Sequence, residues 1–169
     1  MPETYEPIAS MTLSATTSIP VFTSIPQTFT DLVLVASGQA AVTGDDFAVM
    51  YFNNDGASNY NVTQLYTTNG TSAASSRSGS TTGIFSIPLN AASSGTYGIA
   101  SVHIMNYSNT TTFKSVISRD DTLRSGLNTG IGVGMWRSTA AISSIYLRTI
   151  NGYGWASGST LTLYGIKAA

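Results

Sequence analysis

Short β-prone stretches recur along the whole chain, and Gly, Asn, Asp and Ser separate them. Residues 11–15 alternate apolar and polar side chains, which is the pattern of a strand with one buried face. Residues 32–35 are continuously apolar, which favours a strand covered on both faces. Many short strands with turn residues between them are typical of an all-β sandwich or barrel.

These patterns predict about ten strands and no helix of ordinary length. The predicted strands cover residues 11–15, 29–37, 47–52, 61–67, 83–89, 97–107, 112–118, 131–136, 142–150 and 158–166. In one domain, these strands most simply form a jelly-roll-like β-sandwich of about eight to ten antiparallel strands around one core. We therefore expect an all-β fold with no substantial helix.

The segments between the strands also carry structural signals. Asn69 and Gly70 form a dipeptide that is typical of a tight hairpin turn. Residues 71–82 are nearly all Ser, Thr, Ala and Gly without apolar periodicity, which predicts an exposed loop. Residues 119–121, together with Arg124, form a charged stretch that predicts a solvated loop.

Glycines alternate with large residues at Gly130, Gly132 and Gly134. The spacing is superficially that of a dinucleotide-binding loop, but no helix is predicted after it to receive a phosphate. A strand along which another backbone approaches closely is the better interpretation.

The first nine residues are acidic and contain Pro2 and Pro7. Proline and the residue before it disfavour helix, so residues 1–9 are predicted to be an extended arm. Residues 10–169 then form a single sandwich domain, which suits a chain of 169 residues. The start of the chain does not have the basic and then apolar pattern of a secretory signal.

Composition narrows the function classes. Charged residues make up 9% of the chain, the net charge is −1, and 24 Ser and 24 Thr supply much of the polar surface. A free nucleic-acid binder needs a basic surface, so no nucleic-acid partner is expected. No apolar run approaches the roughly 20 residues of a membrane helix, so no membrane partner is expected. Because Cys is absent, disulfides, Cys-based zinc sites and thiol nucleophiles are excluded.

Candidate catalytic groups are few. His103 is the sole histidine and lies in a predicted strand. A structural role is a simpler interpretation of this residue than membership of a Ser-His-Asp triad. Asp31 and Asp55 are the pair of carboxylates that a glycosidase would need, but nothing in the sequence selects them. Asp45 and Asp46, with Asp55, are candidate Ca²⁺ ligands without the spacing of a known loop. We therefore predict no enzyme, no metal site and no cofactor.

Two aromatic residues are candidates for binding. Tyr153 and Trp155 alternate with Gly152 and Gly154 in a turn-like stretch. Exposed rings there would stack on sugar faces or anchor a partner protein. The alternative is that both rings cover the end of the sandwich core, where large aromatic residues mostly lie.

Several segments, in order along most of the chain, resemble structural modules of tailed bacteriophages, notably cyanophage-like and marine phages. They are residues 29–34 (FTDLVL), 52–60, 104–109 (IMNYSN), 136–145 and the closing 158–166 (GSTLTLYGI). The last segment is similar to the ending of many phage fibre, knob and capsid-decoration modules. The resemblance implies a β-sandwich, often a jelly roll, that is displayed on the virion as a homotrimer, and it brings no catalytic residues.

A free-standing module with a short arm fits a capsid cement or decoration protein better than a long tail fibre. The resemblance thus implies a protein made in the host cytoplasm that binds the major capsid protein on the outer capsid surface and bridges its subunits. Pro2, Tyr5, Pro7 and Ile8 of the arm are the candidate capsid contacts.

Two other functions stay open. One is a receptor-binding tail or fibre module, in which Tyr153, Trp155 and residues 71–82 contact a host surface glycan. The other is a hydrolase of cell-surface polysaccharide, against which the small number of acidic residues argues.

Overall fold

The computed structural model describes residues 4–68, 70–122 and 128–167. These residues form twelve β-strands in two antiparallel sheets, and their helical content is one 3₁₀ turn at Ala92–Ser94. The prediction of an all-β sandwich without a substantial helix is confirmed.

The strands are numbered in chain order. They are β1 (Tyr5–Thr12), β2 (Val21–Phe22), β3 (Asp31–Gly38), β4 (Asp46–Phe52), β5 (Tyr60–Thr68), β6 (Ser72–Thr81), β7 (Ile84–Leu89), β8 (Gly98–Met105), β9 (Lys114–Thr122), β10 (Asn128–Trp136), β11 (Ile145–Thr149) and β12 (Thr160–Ile166). The larger sheet has eight strands in the order β1-β12-β3-β8-β9-β10-β5-β6. The smaller sheet has four strands in the order β2-β11-β4-β7.

One hydrophobic core lies between the two sheets, because alternate residues of each strand point inward. On β3, Leu32, Leu34 and Ala36 are buried, whereas Val35, which lies between Leu34 and Ala36, is 40% exposed. The core includes, from the larger sheet, Leu32, Leu34, Val102, Ile104, Val116, Leu161 and Leu163, and from the smaller sheet Phe22, Met50, Phe52, Ile84, Ile87, Leu89 and Leu147.

Two strands, β2 and β6, do not appear among the ten that the sequence predicts. The first has only two residues. The second occupies the segment predicted as an exposed loop, and it pairs with β5 from Thr68↔Ser72 to Tyr60↔Thr81. Because β6 is the edge of the larger sheet and almost all its residues are exposed, it carries no apolar period. β5 and β6 are consecutive antiparallel strands, and Gly70 between them has a positive φ of 67°; the other residue of the predicted turn, Asn69, lies outside the described residues.

The charged segment 119–121 is not a loop but part of β9. Arg119 pairs with Ser101 on one side and with Ile131 on the other. Its side chain is exposed because that face of the sheet is open to solvent. Charge alone is therefore a poor sign of a loop on a sheet with a solvent-facing side. Arg124 lies outside the described residues.

Residues 5–9, which the sequence analysis assigns to an arm separate from the domain, belong to β1 and therefore to the sandwich. The chain there is extended, as proline requires, but it pairs with β12 from Tyr5↔Ile166 to Thr12↔Thr160. Pro7 is tolerated because β1 is an edge strand with a bulge between Pro7 and Ala9.

The glycines of β10 let side chains of other strands contact its backbone. A Cβ atom on Gly134 would lie 2.8 Å from Cγ2 of Ile84 in the smaller sheet, and Gly132 is covered in the same way by a side chain of β9. Side chains, rather than the second backbone that the sequence analysis expects, make this close approach. The inward side of β10 is thus occupied by glycine, and its large residues Ile131 and Val133 lie on the opposite side.

A partly buried hydrogen-bond network fixes the turn after β4. The Asp55 carboxylate accepts bonds from Trp136 Nε1 (2.7 Å), Asn59 Nδ2 (3.0 Å) and the Ala57 amide (3.0 Å). Burial raises the pKa of Asp55, but these three bonds outweigh burial and hold the pKa below its ordinary value. The ionised carboxylate therefore stabilises the folded chain.

Replacement of Trp136 by Phe removes the indole N–H that bonds the charged carboxylate. We expect Trp136→Phe to lower the free energy of unfolding at pH 7 by about 2 kcal/mol. Because the folded-state pKa of Asp55 is depressed, its contribution is present above the unfolded value of 3.8 and is lost as the pH falls through the lower folded value. Urea unfolding at pH 7 and near pH 3 should therefore show that the difference in the free energy of unfolding between the unmodified chain and Trp136→Phe becomes smaller in acid.

Tyr60→Phe is the matched control for this prediction. The Tyr60 hydroxyl accepts a bond from the Phe52 amide and donates one to the Asp55 carbonyl, so its partners do not titrate in acid. We expect this variant to lose stability by a similar amount at both pH values. Parallel pH profiles for the two variants would contradict the role assigned to the Asp55 carboxylate.

Candidate interaction surface

The eight-stranded sheet has one face on the core and another face that no described element covers; we call the second the outer sheet face. Its side chains are those that alternate with the buried residues of β3, β8, β9, β10 and β5. Six of them are apolar and well exposed: Val35 40%, Leu65 55%, Ile99 56%, Ile117 38%, Ile131 46% and Val133 52%. A solvated sheet face more often carries polar residues at these positions.

Four of the six form a contiguous group, Leu65, Ile117, Ile131 and Val133, which we call the apolar cluster. Ile117 lies directly opposite Val133 across β9 and β10. Ile131 lies directly opposite Leu65 across β10 and β5. Ile131 and Val133 are two residues apart on one strand and so share its outer side, which joins the two pairs.

The apolar cluster has a substantial unused capacity for burial. Complete burial of a Val, Leu or Ile side chain contributes about 1.5–3 kcal/mol. Each member of the cluster is already about half buried within the sheet. Covering the exposed remainder would therefore contribute roughly 1 kcal/mol per residue to binding. Contiguous exposed apolar patches on a folded chain mark surfaces that contact other molecules.

Polar groups of both signs surround the apolar cluster. Arg119 lies beside Ile131, and Asp121 lies two residues further along β9. The His103 Nε2 atom is 2.9 Å from Oδ2 of Asp31, and their side chains are 40% and 22% exposed. An apolar centre with a polar rim is the usual anatomy of a protein interface.

The two candidate aromatic residues have different environments. Tyr153 is 45% exposed, as a binding role requires. Trp155 is fully buried, which corrects the hypothesis that it is an exposed anchor and agrees with the alternative that it covers the core. Its Nε1 donates to the Leu147 carbonyl (3.1 Å), and a Cβ atom on Gly38 would lie 2.6 Å from its ring.

The candidate arm contacts lie at the edge of the larger sheet, not on a free arm. Tyr5 is 56% exposed and meets the Tyr164 ring edge-on with centroids 6.5 Å apart. Pro7 is exposed, whereas Ile8 packs against the core. Pro2 lies outside the described residues. The structure does not bring these residues together with the apolar cluster.

His103 has Asp31 as its hydrogen-bond partner, and the other Asp31 oxygen accepts the Asn106 amide (2.7 Å). A triad would also need a serine hydroxyl on the ring. The described hydrogen bonds of His103 bring none to it. The pair therefore closes the turn after β8 and contributes polar groups to the outer sheet face.

The carboxylates considered for catalysis or Ca²⁺ binding are engaged separately. Asp45 accepts the Ala91 amide (2.8 Å), and Asp46 accepts amide groups of Phe47 and Asn151. Asp55 belongs to the Trp136 network described above. Within residues 4–68, 70–122 and 128–167, no three His, Cys, Asp or Glu side chains form a group that could hold a metal ion.

Two charged side chains lie on the core side of the larger sheet. Lys114 is fully buried, and its Nζ donates to the carbonyls of Asn109 (2.6 Å), Thr112 (2.8 Å) and Thr139 (3.2 Å). The Asp120 carboxylate lies over Gly130, where a Cβ atom would come within 2.9 Å of it. Burial and, as the smaller cause, the charge of neighbouring Asp121 together raise the pKa of Asp120 to about 6.

The exposed apolar residues of the outer sheet face were not predicted from the sequence. A signal was present, because in residues 130–135 glycine alternates with large apolar residues. If glycine takes the inward positions, the large residues must point outward. Without knowledge of which face is buried, this alternation reads only as a strand.

Comparisons with known proteins add no family assignment. No protein-family model matches the sequence, and no curated protein matches it significantly. In the described part of the chain, no helix combines the length and apolarity needed to cross a bilayer.

The different burial of Tyr153 and Trp155 makes a direct prediction. Trp155→Ala should lower the free energy of unfolding by about 3–5 kcal/mol, because it opens a cavity in the core and removes a buried hydrogen bond. Tyr153→Ala should change it by no more than about 0.5 kcal/mol. Chemical denaturation of the two variants tests this, and equal losses would contradict the assigned burial.

The position of Asp120 predicts a pH effect of opposite sign to that of Asp55. With a folded-state pKa near 6 and an ordinary value of 3.8, the folded chain binds more protons between these values, so stability falls as the pH rises through them. Asp120→Asn should remove that fall and raise stability at pH 7.5 by about 1–2 kcal/mol. Urea midpoints from pH 4 to pH 8 provide the test.

Asp121→Asn serves as the control for Asp120→Asn. This side chain is exposed and contributes only the smaller, charge-based part of the effect. We expect a weaker change in the same direction. A steeper pH profile in Asp120→Asn than in the unmodified chain would overturn the assignment.

Proposed function

We propose that the chain is a structural protein of a phage particle, which binds the outer surface of the assembled capsid and bridges its subunits. The observation that carries the proposal is the apolar cluster on an otherwise uncovered sheet face. We propose a phage particle because segments that resemble phage structural modules occur in order along the sequence. The described residues form no metal-binding group, and Asp45, Asp46 and Asp55 have structural partners, so we propose a binding role rather than catalysis.

The size of the outer sheet face suits such a contact. Eight strands span about 35 Å across a sheet, and seven residues of strand span about 23 Å. The product, roughly 800 Å², is the area that one partner contributes to a standard protein interface. The low charge of the chain, 9% of residues, also limits the desolvation cost of covering it.

A homotrimer is part of the proposal. In a trimer, binding of one copy to the capsid would hold the other two copies close to their own binding sites. Their effective concentration there would be high, so that three weak contacts give a stable attachment. Light scattering of the purified chain would report its mass relative to a 17.7 kDa protomer.

Receptor binding is the second candidate, and the exposure of Tyr153 favours it. Trp155 is buried and therefore not available to a glycan, whereas residues 72–81 form an edge strand whose residues are mostly exposed.

Quantitative mass spectrometry of purified particles of the phage that encodes the chain tests the proposal. Capsid decoration predicts hundreds of copies, in fixed ratio to the major capsid protein. A handful of copies would indicate a tail location and overturn the decoration role in favour of receptor binding. Complete absence from particles would overturn both.

A variant series tests the surface itself. Val133→Lys and Ile117→Lys each place an ammonium group in the apolar cluster, and burying it unpaired costs several kcal/mol. We expect each to weaken binding to capsids by at least about 100-fold while leaving the urea midpoint unchanged. Ile150→Lys adds the same charge at a site that is 47% exposed beside the smaller sheet, and it should bind normally. Equal weakening by all three would show that the outer sheet face is not the contact.

A further inference from the structure

A groove of about 500 Å³ lies beside the smaller sheet, at the end of β11. Its lining residues are Ser18, Ile19, Arg148, Thr149, Ile150, Asn151 and Gly152. One wall is the segment before β2, and the other is β11 with the loop that follows it. Backbone bonds hold the walls in place: Leu147 N donates to Pro20 O (3.1 Å), and Thr17 and Trp155 exchange two bonds (3.0 and 2.9 Å). The groove is therefore preformed.

Arg148, one of the lining residues, carries a guanidinium group at the end of its side chain. The group lies over the Tyr51 ring, with Cζ 5.8 Å from the ring centroid. Tyr51 in turn stacks on Tyr146, with centroids 5.0 Å apart and an interplanar angle of 20°. A guanidinium held on an aromatic face is already oriented, so it loses little freedom when it binds a planar anion.

The charge of Arg148 is not neutralised by the described part of the chain. The ion pairs there are His103–Asp31 and Lys167–Glu6, so no described carboxylate lies within 4.0 Å of the Arg148 guanidinium. An exposed, oriented guanidinium of this kind recognises carboxylates through two parallel hydrogen bonds.

The one carboxylate bonded to a lining residue has its oxygens occupied. Asp46 is 1% exposed and accepts bonds from the Phe47 amide (2.8 Å) and from the backbone and side-chain nitrogens of Asn151 (3.3 and 3.2 Å). These bonds fix the loop at Asn151, so an amide side chain is held at the groove rather than free to move. Asp46 acts on the ligand site by positioning Asn151.

The rest of the lining combines apolar and hydroxyl groups. Ile19 is 37% exposed and Ile150 is 47% exposed. Ser18 adds a hydroxyl to the lining. Apolar and aromatic surface packs against the C–H face of a sugar ring, while hydroxyl and amide groups bond its hydroxyls. Together with an oriented guanidinium, this set matches a sugar that carries a carboxylate.

We propose that the groove binds an acidic saccharide, with Arg148 holding the carboxylate and Ile19 and Ile150 contacting the ring. The site goes beyond the proposed capsid-binding role, because it lies beside the smaller sheet and shares no residue with the outer sheet face. Either function can therefore fail without the other.

Amide shifts in a ¹⁵N-labelled sample of the full chain provide the test. The acidic probes are trigalacturonate and 3′-sialyllactose, and the neutral probes are maltotriose and lactose. We expect an acidic probe to shift the amides of Ile19, Ile150, Asn151 and Gly152, with a Kd on the order of millimolar for so small a contact. Absence of these shifts, shifts centred elsewhere, or equal shifts with the neutral probes would each overturn the proposal.

Arg148→Gln should weaken binding of the acidic probe by about tenfold or more, as expected for loss of a charged hydrogen bond. Arg119→Gln is the matched control, since it removes an exposed arginine from the outer sheet face and should leave saccharide binding unchanged. An equal loss in both variants would show attraction to net charge only and overturn the site. Val133→Lys should bind the saccharide normally, which separates this result from failure of capsid binding.

Discussion

The sandwich depends on the position of Trp155. Its indole lies against Gly38 of the larger sheet and donates a hydrogen bond to Leu147 of the smaller sheet, so a single side chain connects the two layers. Its backbone also bridges Thr17 and Ala40. The segment before β2, the end of β3 and the loop after β11 therefore meet at one residue. Both walls of the Arg148 groove take their positions from this junction, and the absence of a Cβ atom at Gly38 makes room for the ring.

The alternation of apolar residues predicts most of this fold, because strands that face a core must repeat with a period of two. Each of the ten strands predicted from it overlaps a strand of the structure, although the predicted strand 11–15 shares only residues 11–12 with β1, most of which lies in the segment predicted as an arm. β6 shows the limit of the method: this edge strand is almost entirely exposed and has no alternating apolar residues, so its largely polar sequence resembles a loop. Arg119 shows the same limit within β9, since the charge reflects an open sheet face and not the end of a strand.

The candidate sites could be predicted less well than the fold. Tyr153 and Trp155 are equivalent in the sequence, each between glycines or beside one, yet one is half exposed and the other fully buried. Only the tertiary packing distinguishes them. The apolar cluster depends on which side of β10 faces the core, and the Arg148 groove depends on residues more than a hundred positions apart. Both are properties of the assembled sheets. They also lie on different layers: the larger sheet offers a broad apolar face, and the smaller sheet offers a groove lined by both apolar and polar groups.

Edge strands of the larger sheet determine how copies of the chain behave at high local concentration. β1 carries Pro7 and a bulge, and β6 carries a bulge opposite Tyr60, the positive φ of Ser80 and the charged Arg77. Each feature interrupts the row of amide and carbonyl groups that a neighbouring chain would need in order to continue the sheet. Crowded copies are thus kept from joining edge to edge into growing fibres. The exposed apolar residues of such a chain can be used for a face contact of fixed size, because the route to open-ended polymerisation is closed at both edges.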